Sequence, residues 1–179
     1  MRKIPSQFEC PIDNFLIDIA KPYLDYFHKN GVTPNILTTM GNIIRAISIY
    51  NLFQGNLYIF FILYIWGFQF DCLDGYFARS YDMCTTLGDV YDHVSDTIFG
   101  VFLFYYLWQT TWVVIGIYLY FLFMMQLHIG CAQIHYNGNE NKEYLDIFKM
   151  KFYKKEWVIW TRYFGCGTFI VVSSFLVFV

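Results

Sequence analysis

Charged residues are scarce in this chain, and their scarcity argues against an ordinary water-soluble protein. Only 15% of its 179 residues are charged, whereas a typical soluble domain carries about a quarter. Hydrophobic residues make up 57% of the chain and aromatic residues 23%. Because so few charges cannot cover a folded chain of this size with hydrated surface, we expect a membrane protein. The net charge of −2 gives no sign of a nucleic-acid partner.

Paired cysteines and an N-terminal signal peptide are also missing. The five cysteines are scattered, odd in number and form no C-x-x-C pair. This arrangement indicates neither a disulfide framework nor a zinc site. Residues 1–29 lack the continuous apolar stretch of a secretory signal peptide.

Long apolar segments, by contrast, recur along the chain. A membrane-spanning helix needs about 20 mostly apolar residues. Five segments fit this requirement, at residues 34–53, 57–79, 86–108, 112–132 and 156–179. We therefore predict an all-α, polytopic transmembrane helix bundle, with residues 34–179 forming one transmembrane domain.

Residues 1–33 precede the first span and have a different pattern. Between Pro11 and Lys29, apolar residues recur at helical spacing with charged residues between them. An amphipathic helix in the membrane interface fits this pattern, and so does a helix packed on the bundle. Pro22 should kink or split the helix, and Gly31 begins the turn into the first span.

Lysine and arginine are distributed unevenly among the connections between spans. They occur in the N-terminal segment, at Arg79 before the second connection, and at several positions between residues 142 and 155. The two short hairpin turns contain none. The positive-inside rule therefore places the N-terminus and the longer connections in the cytoplasm.

Four aspartates near the second connection form the most informative pattern in the chain. The pattern reads Asp71-x-x-Asp74-Gly75-x-x-Ala78-Arg79, then eight residues, then Gly88-x-x-x-Asp92-x-x-x-Asp96. At about 100° per residue, each half forms one stripe along its helix. Both stripes lie toward the cytoplasmic ends of the second and third spans.

Carboxylates at these positions require compensating positive charge. An ionised Asp at mid-membrane costs about 2.5–3.5 kcal/mol, and Arg79 alone cannot balance four of them. Hard cations such as Mg²⁺ prefer oxygen ligands and are often bound by carboxylates together with substrate phosphates. Two such ions can stabilise both oxygens of an in-line phosphoryl displacement. The pattern therefore indicates a metal-dependent phosphoryl-transfer site.

At every specified residue and spacing, this pattern resembles the signature of the CDP-alcohol phosphatidyltransferase family. The resemblance implies a helix bundle around a cytoplasm-facing polar cavity, where an alcohol hydroxyl displaces CMP from a CDP-linked substrate. It implies that Asp71, Asp74 and Asp92 hold two Mg²⁺ or Mn²⁺ ions. Asp96 would also lie at the metal site and act as the general base. The residues expected around the CDP group are Asp74, Gly75, Ala78, Arg79 and Gly88.

Family members usually have six transmembrane helices, whereas this sequence provides five clear ones. A sixth helix between residues 133 and 156 would be unusually polar. The departure leaves open how the bundle closes and where the homodimer interface implied by the resemblance would lie.

Several polar residues near the signature admit two interpretations. His93 resembles a histidine of the choline and ethanolamine branch that could assist proton transfer, or it lies at the edge of the site. Arg45, inside the first span, faces the cavity and meets a lipid phosphate, or it extends toward the lipid headgroups. Asp89 is adjacent to the aspartate stripe or solvated. Gly75 and Gly88 shape the pocket or allow close helix packing, and Arg79 binds phosphate or anchors the helix.

Three functions are consistent with these observations. The leading hypothesis is transfer of a phosphatidyl group from CDP-diacylglycerol to a small alcohol, which the compact chain favours. The second, which His93 favours, is transfer of a phosphoalcohol from another CDP-alcohol to diacylglycerol. The third is a non-enzymatic carrier or channel with an acidic cavity.

Overall fold

The computed structural model describes residues 4–136, 154 and 156–179, and these residues form helices and connections without a strand. The helices are α1 (Pro11–Ala20), α2 (Leu24–Lys29), α3 (Pro34–Phe53), α4 (Leu57–Ser80), α5 (Thr86–Leu107), α6 (Trp112–Tyr136), α7 (Trp157–Thr161) and α8 (Cys166–Phe175). Short 3₁₀ turns follow three of them, at Lys21–Tyr23, Arg162–Phe164 and Leu176–Phe178. The predicted all-α fold is confirmed.

Three helical segments are long and apolar enough to cross a membrane, namely Leu57–Ser80, Trp112–Ala132 and Trp157–Phe178. They coincide with the second, fourth and fifth predicted spans. Helices α3 and α5 occupy the other two predicted spans. Their polar residues make them less apolar than the three segments above, so they do not qualify as spans by composition. Most of the stretch considered for a sixth helix, with several of the lysines used to assign orientation, lies outside the described residues.

The N-terminal segment splits at Pro22, as predicted. Helix α1 ends at Ala20, and the 3₁₀ turn leads into α2. Gly31 then adopts a φ of 73°, a conformation that glycine adopts readily, and turns the chain toward α3. One face of α1 packs on α4 and α8, while Phe15 and Ile19 are exposed on another. Packing on the bundle is therefore observed, and the interfacial position remains a prediction.

Two hydrophobic clusters hold the helices together at different levels of the bundle. One joins the later half of α3, the first half of α4, the later half of α5, α6 and α8, with Leu52, Phe60 and Leu107 fully buried. The other joins α1, α2, the start of α3 and the end of α4, around Leu37 and Phe77. The second cluster includes Leu73 and Phe77 of α4, so the α4 residues of the signature lie beside it.

Helices α3 and α4 form the most closely packed hairpin of the bundle. A Cβ atom on Gly41 would lie 3.0 Å from the Gly67 carbonyl oxygen, and a Cβ on Gly67 would lie 2.5 Å from Cγ of Arg45. Small residues allow helices in a membrane to approach in this way. Gly67 also leaves the space that the buried stem of Arg45 fills.

Candidate functional site

A cavity of about 430 Å³ lies within the bundle, with walls contributed by α1, α3, α4, α5, α6 and α8. One part of its wall is charged and includes Arg45, Asp71, Asp74, Arg79, Asp92 and Asp96. The other part is largely apolar and includes Phe68, Leu103, Tyr118, Met125, Phe169 and Ile170. A charged group and a hydrocarbon group could therefore occupy one cavity.

Three of the four signature aspartates converge in the charged part. Asp71 on α4 and Asp92 and Asp96 on α5 each contribute a carboxylate oxygen, and these three atoms lie within 4.8 Å of one another. Asp92 and Asp96 are one helical turn apart, so they project from the same face of α5. Two helices that follow one another in the chain thus contribute one compact group of oxygen ligands.

Asp74 lines the same cavity but lies outside this compact group. It is 4% exposed, and it accepts a hydrogen bond from the hydroxyl of Thr38 on α3. The hydroxyl fixes the orientation of the carboxylate, because a buried Asp with a bonded oxygen cannot rotate freely. Asp74 is also the least exposed of the four aspartates.

Arg45 faces the cavity and binds two of the three converging aspartates. One terminal nitrogen of its guanidinium, Nη1, lies 2.6 Å from Oδ1 of Asp96. The other, Nη2, lies 3.0 Å from Oδ1 of Asp71 and donates to Oδ1 of Asn42 at 2.8 Å. The side chain of Arg45 is 2% exposed, which excludes extension toward the headgroups in this structure.

The donors around the aspartates do not satisfy all of their oxygens. Oδ1 of Asp92 is buried and has no hydrogen-bond partner within the described part of the chain. A buried acceptor without a donor costs about 1–3 kcal/mol. Oxygens on opposite sides of one Ca²⁺ or Mg²⁺ ion lie roughly 4–5 Å apart, twice the metal–oxygen distance. The spacing of the three carboxylates and the unpartnered oxygen therefore fit a divalent cation.

The small residues of the signature occupy different surroundings. Gly75 lines the cavity, and a Cβ there would lie 3.1 Å from Nη1 of Arg79, whose guanidinium folds back toward it. Ala78 and Gly88 are not among the residues found to line this cavity. A Cβ on Gly88 would lie 2.9 Å from Oδ1 of Asn35, so Gly88 allows close contact between the starts of α3 and α5. Contact of Ala78 and Gly88 with a CDP group stays a prediction.

His93 lies at the cavity, one residue from Asp92. Its Nδ1 is 2.7 Å from the carbonyl oxygen of Asp89, and its side chain is 54% exposed. Because a carbonyl can only accept, Nδ1–H is the donor, and Nε2 of the neutral ring remains an acceptor. The carboxylate of Asp89 lies 4.0 Å from Nδ1, which places Asp89 beside His93 and outside the converging group.

Two polar residues of the site were not assigned to it from the sequence, namely Thr38, which binds Asp74, and Asp13, which lines the cavity. Thr38 lies on the α3 stripe that includes Gly41 and Arg45, at spacings of three and four residues, and that helical period was the available signal. Asp13 on α1 also lines the cavity, and it accepts a hydrogen bond from the backbone N–H of Gly167 at 2.7 Å. Burial raises the pKa of Asp13 from 3.8 to about 7. No local pattern pairs residue 13 with residue 167, because their contact depends on the tertiary fold.

Comparison with known proteins identifies one family. The family model described as CDP-alcohol phosphatidyltransferase matches residues 31–176. An uncharacterized protein of Aquifex aeolicus (strain VF5) is 29% identical over 79 residues, which cover 44% of this chain and 40% of that protein. The match thus spans less than half of that relative's length. No solved structure matches the chain significantly.

Proposed function

The chain belongs to the CDP-alcohol phosphatidyltransferase family, and from that premise we propose a metal-dependent phosphatidyl transfer. The family transfers a phosphatidyl or phosphoalcohol group from a CDP-alcohol, and it comprises membrane phosphotransferases. For this chain we propose CDP-diacylglycerol as the donor, a small alcohol as the acceptor and CMP as the leaving product. The single observation that carries the proposal is the convergence of Asp71, Asp92 and Asp96 around an unsatisfied carboxylate oxygen.

The aspartates would hold the metal ions. Asp71, Asp92 and Asp96 supply the converging oxygens, and Asp74, oriented by Thr38, supplies a fourth carboxylate at the cavity wall. When bound, two Mg²⁺ or Mn²⁺ ions would neutralise the diphosphate and stabilise the charge that develops on the departing CMP. Arg79, folded over Gly75 at the cavity wall, would contact the diphosphate, because its planar donors match phosphate oxygens.

Asp96 is the residue of this group best placed to accept a proton. Its side chain is 45% exposed, compared with 13% for Asp71, so an acceptor alcohol can reach it. The alcohol oxygen would bond to the β-phosphorus, and the bond from that phosphorus to the bridging oxygen would break. The electron pair of the broken bond stays on the bridging oxygen, which leaves as part of CMP. Asp96 takes the hydroxyl proton and passes it to solvent. The apolar part of the cavity would hold the start of the acyl chains.

We further propose that the charged part of the cavity faces the cytoplasm, as the distribution of lysine and arginine predicts. The division into an interfacial segment, residues 1–33, and a transmembrane domain, residues 34–179, is kept with one addition. Asp13 and Ile17 of α1 line the cavity, so the N-terminal segment contributes to the site. The homodimer implied by the family resemblance remains a prediction.

A second candidate is transfer of a phosphoalcohol from a soluble CDP-alcohol to diacylglycerol. The observation that favours it is the position of His93 at the cavity, with Nδ1 bound to the Asp89 carbonyl and Nε2 able to accept. In that reaction His93 would receive the proton of the diacylglycerol hydroxyl, with Asp96 as the alternative acceptor. The metal-binding carboxylates would be the same.

Release of CMP by purified protein in lipid vesicles tests both candidates. Labelled CDP-diacylglycerol is supplied with a panel of small alcohols, and labelled CDP-ethanolamine is supplied with diacylglycerol. We expect CMP release from the first pair, dependent on Mg²⁺ or Mn²⁺ and abolished by a chelator. Release only from the second pair would favour the second candidate. Unchanged release in excess chelator would exclude the metal mechanism, and no release from any pair would favour a carrier or channel.

A further inference from the structure

We propose that Arg45 is a resident counter-ion that competes with the metal for the aspartates and, once displaced, binds the diphosphate of the substrate. This inference rests on the proposed function, because it concerns the same carboxylates. It makes Arg45 a competitor of the metal before the donor binds and a ligand of the donor afterwards, and the competition is a role that its place in the first span does not by itself indicate.

The first step in the argument is that Arg45 shares its acceptors with the metal. Its guanidinium binds Asp71 on α4 and Asp96 on α5 at 3.0 Å and 2.6 Å. Both carboxylates belong to the group of oxygens that fits a divalent cation. A guanidinium and a metal ion of the same sign repel each other at this separation, so binding of the metal must weaken at least one of these ion pairs.

The second step is that Arg45 is built into this position. Gly67 leaves room for its Cγ, Asn42 accepts from Nη2, and the ring of Phe99 lies 4.8 Å from the guanidinium carbon. The stem is therefore fixed on three sides by α3, α4 and α5. A buried arginine held this way stabilises carboxylates that would otherwise repel one another in the metal-free protein.

The third step concerns the destination of the guanidinium. Nε of Arg45 is buried and has no hydrogen-bond partner among the described residues, and the side chain lines the cavity. It therefore has a donor available for a ligand oxygen. Two divalent ions would balance the four signature aspartates, and the two negative charges of a CDP diester would then match Arg45 and Arg79. Arginine suits this task because its fork of donors matches phosphate oxygens.

Titration with Mn²⁺, followed by calorimetry on purified protein in detergent, tests the competition without measuring turnover. In Arg45→Met the competing cation is gone, so Mn²⁺ should bind about tenfold tighter or more. The melting temperature of the metal-free protein should fall, and the stabilisation by saturating Mn²⁺ should grow. In the transfer assay, KM for the CDP-linked donor should rise. A residue that merely supported the ligands would give the opposite change in metal affinity.

Arg162→Met is the matched control, because it removes one arginine that binds the carbonyl of Gln7 away from the aspartates. Its Mn²⁺ affinity should equal that of the wild type. If Arg45→Met does not fold, Arg45→Lys decides, because an ammonium cannot bind both carboxylates as a guanidinium fork does. That variant should bind Mn²⁺ tighter than the wild type does.

The outcomes separate this inference from the proposed function. Mn²⁺ binding to Arg45→Met or Arg45→Lys that is equal to or weaker than in the wild type overturns the competition and leaves the metal mechanism intact. A wild-type protein that binds no Mn²⁺ overturns both. Equal tightening in Arg162→Met would show a general charge effect and also overturn the specific role of Arg45.

Discussion

Carboxylates occupy two regions of the same cavity, and their surroundings differ. The first region is the metal-site group, which consists of Asp71, Asp92 and Asp96. Here Asp71 and Asp96 both bind Arg45, and one oxygen of Asp92 has no donor among the described residues. The second region is the N-terminal closure, where Asp13 on α1 meets Gly167 on α8. The carboxylate of Asp13 accepts a hydrogen bond from the backbone N–H of Gly167. Within the described part of the chain, no ion pair to Asp13 is found. The first region has more negative charge than its donors satisfy, whereas in the second the carboxyl of Asp13 is bound by the Gly167 amide and lies near Glu9.

This difference separates a ligand site from a structural contact. In a buried group, excess carboxylate oxygen is stabilised by a bound cation, which supplies the positive charge that the protein lacks. An acid without an ion pair can instead become neutral, and burial, with a smaller contribution from the charge of Glu9, raises the pKa of Asp13 in favour of this form. Close packing supports the structural interpretation, because a Cβ on Gly165 would lie 2.6 Å from Cβ of Cys10. The closure joins the start of α1 to the region around α8.

The largest effect should come from removing one charge in the metal-site group. Asp92→Asn should lower CMP release by at least about a hundredfold, the loss expected when stabilisation of transition-state charge is removed. It should weaken Mn²⁺ binding as well. The metal-free protein should melt no lower than the wild type, because a neutral amide relieves repulsion among the carboxylates. CMP release, Mn²⁺ titration and thermal melting check the three outcomes.

Asp82→Asn provides the matched control for that substitution. Asp82 is an exposed residue of the loop between α4 and α5 with a φ of 55°, and asparagine tolerates this conformation. The same change of charge there should leave CMP release and metal binding unaltered. A comparable loss of CMP release in Asp82→Asn, or full activity in Asp92→Asn, would contradict a special role for the metal-site group.

The sequence was sufficient to predict the helices and the convergence of three of the four aspartates, with Asp74 outside the compact group. Spans were visible because hydropathy and length are local properties, and Pro22 marked the split in the N-terminal helix. The convergence of Asp71 with Asp92 and Asp96 followed from helical period and from the short loop that joins α4 to α5. Both inferences use geometry that a helix imposes on its own residues.

Contacts between distant helices could not be predicted in the same way. The ion pairs of Arg45 depend on how α3 rotates against α4, and that rotation is set by the close approach of Gly41 and Gly67. The bond between Asp13 and Gly167 joins the two ends of the chain. In each case the partner is chosen by packing, so the sequence showed that a polar residue was present but not what it contacted.

A smaller effect on turnover is expected from the glycine that makes room for Arg45. In Gly67→Ala the new Cβ would lie 2.5 Å from Cγ of Arg45 and 3.1 Å from the Gly41 carbonyl oxygen. Overpacking of this kind costs about 1–3 kcal/mol, so the melting temperature should fall. Displacement of Arg45 should lower CMP release, though less than Asp92→Asn does.

Gly116→Ala on α6, where no atom lies within 4 Å of the new Cβ, should preserve both activity and stability. Equal behaviour of the two variants would contradict the packing argument.

The smallest effect on turnover is expected at the N-terminal closure, where pH dependence is the informative measurement. Because the pKa of Asp13 rises from 3.8 to about 7 on folding, the folded chain binds this proton more tightly than the unfolded chain. The stabilisation is complete below about pH 4 and is lost as pH rises toward 7.

Asp13→Asn keeps an oxygen for the Gly167 N–H but cannot ionise, so its melting temperature should fall less between pH 5 and pH 8 (about the range in which the acid titrates). Asp82→Asn, in the exposed loop between α4 and α5, should retain the wild-type slope. An unchanged dependence of melting temperature on pH in Asp13→Asn would mean that the closure does not depend on a neutral acid. The two regions would then differ in position but not in how their carboxyl groups are stabilised.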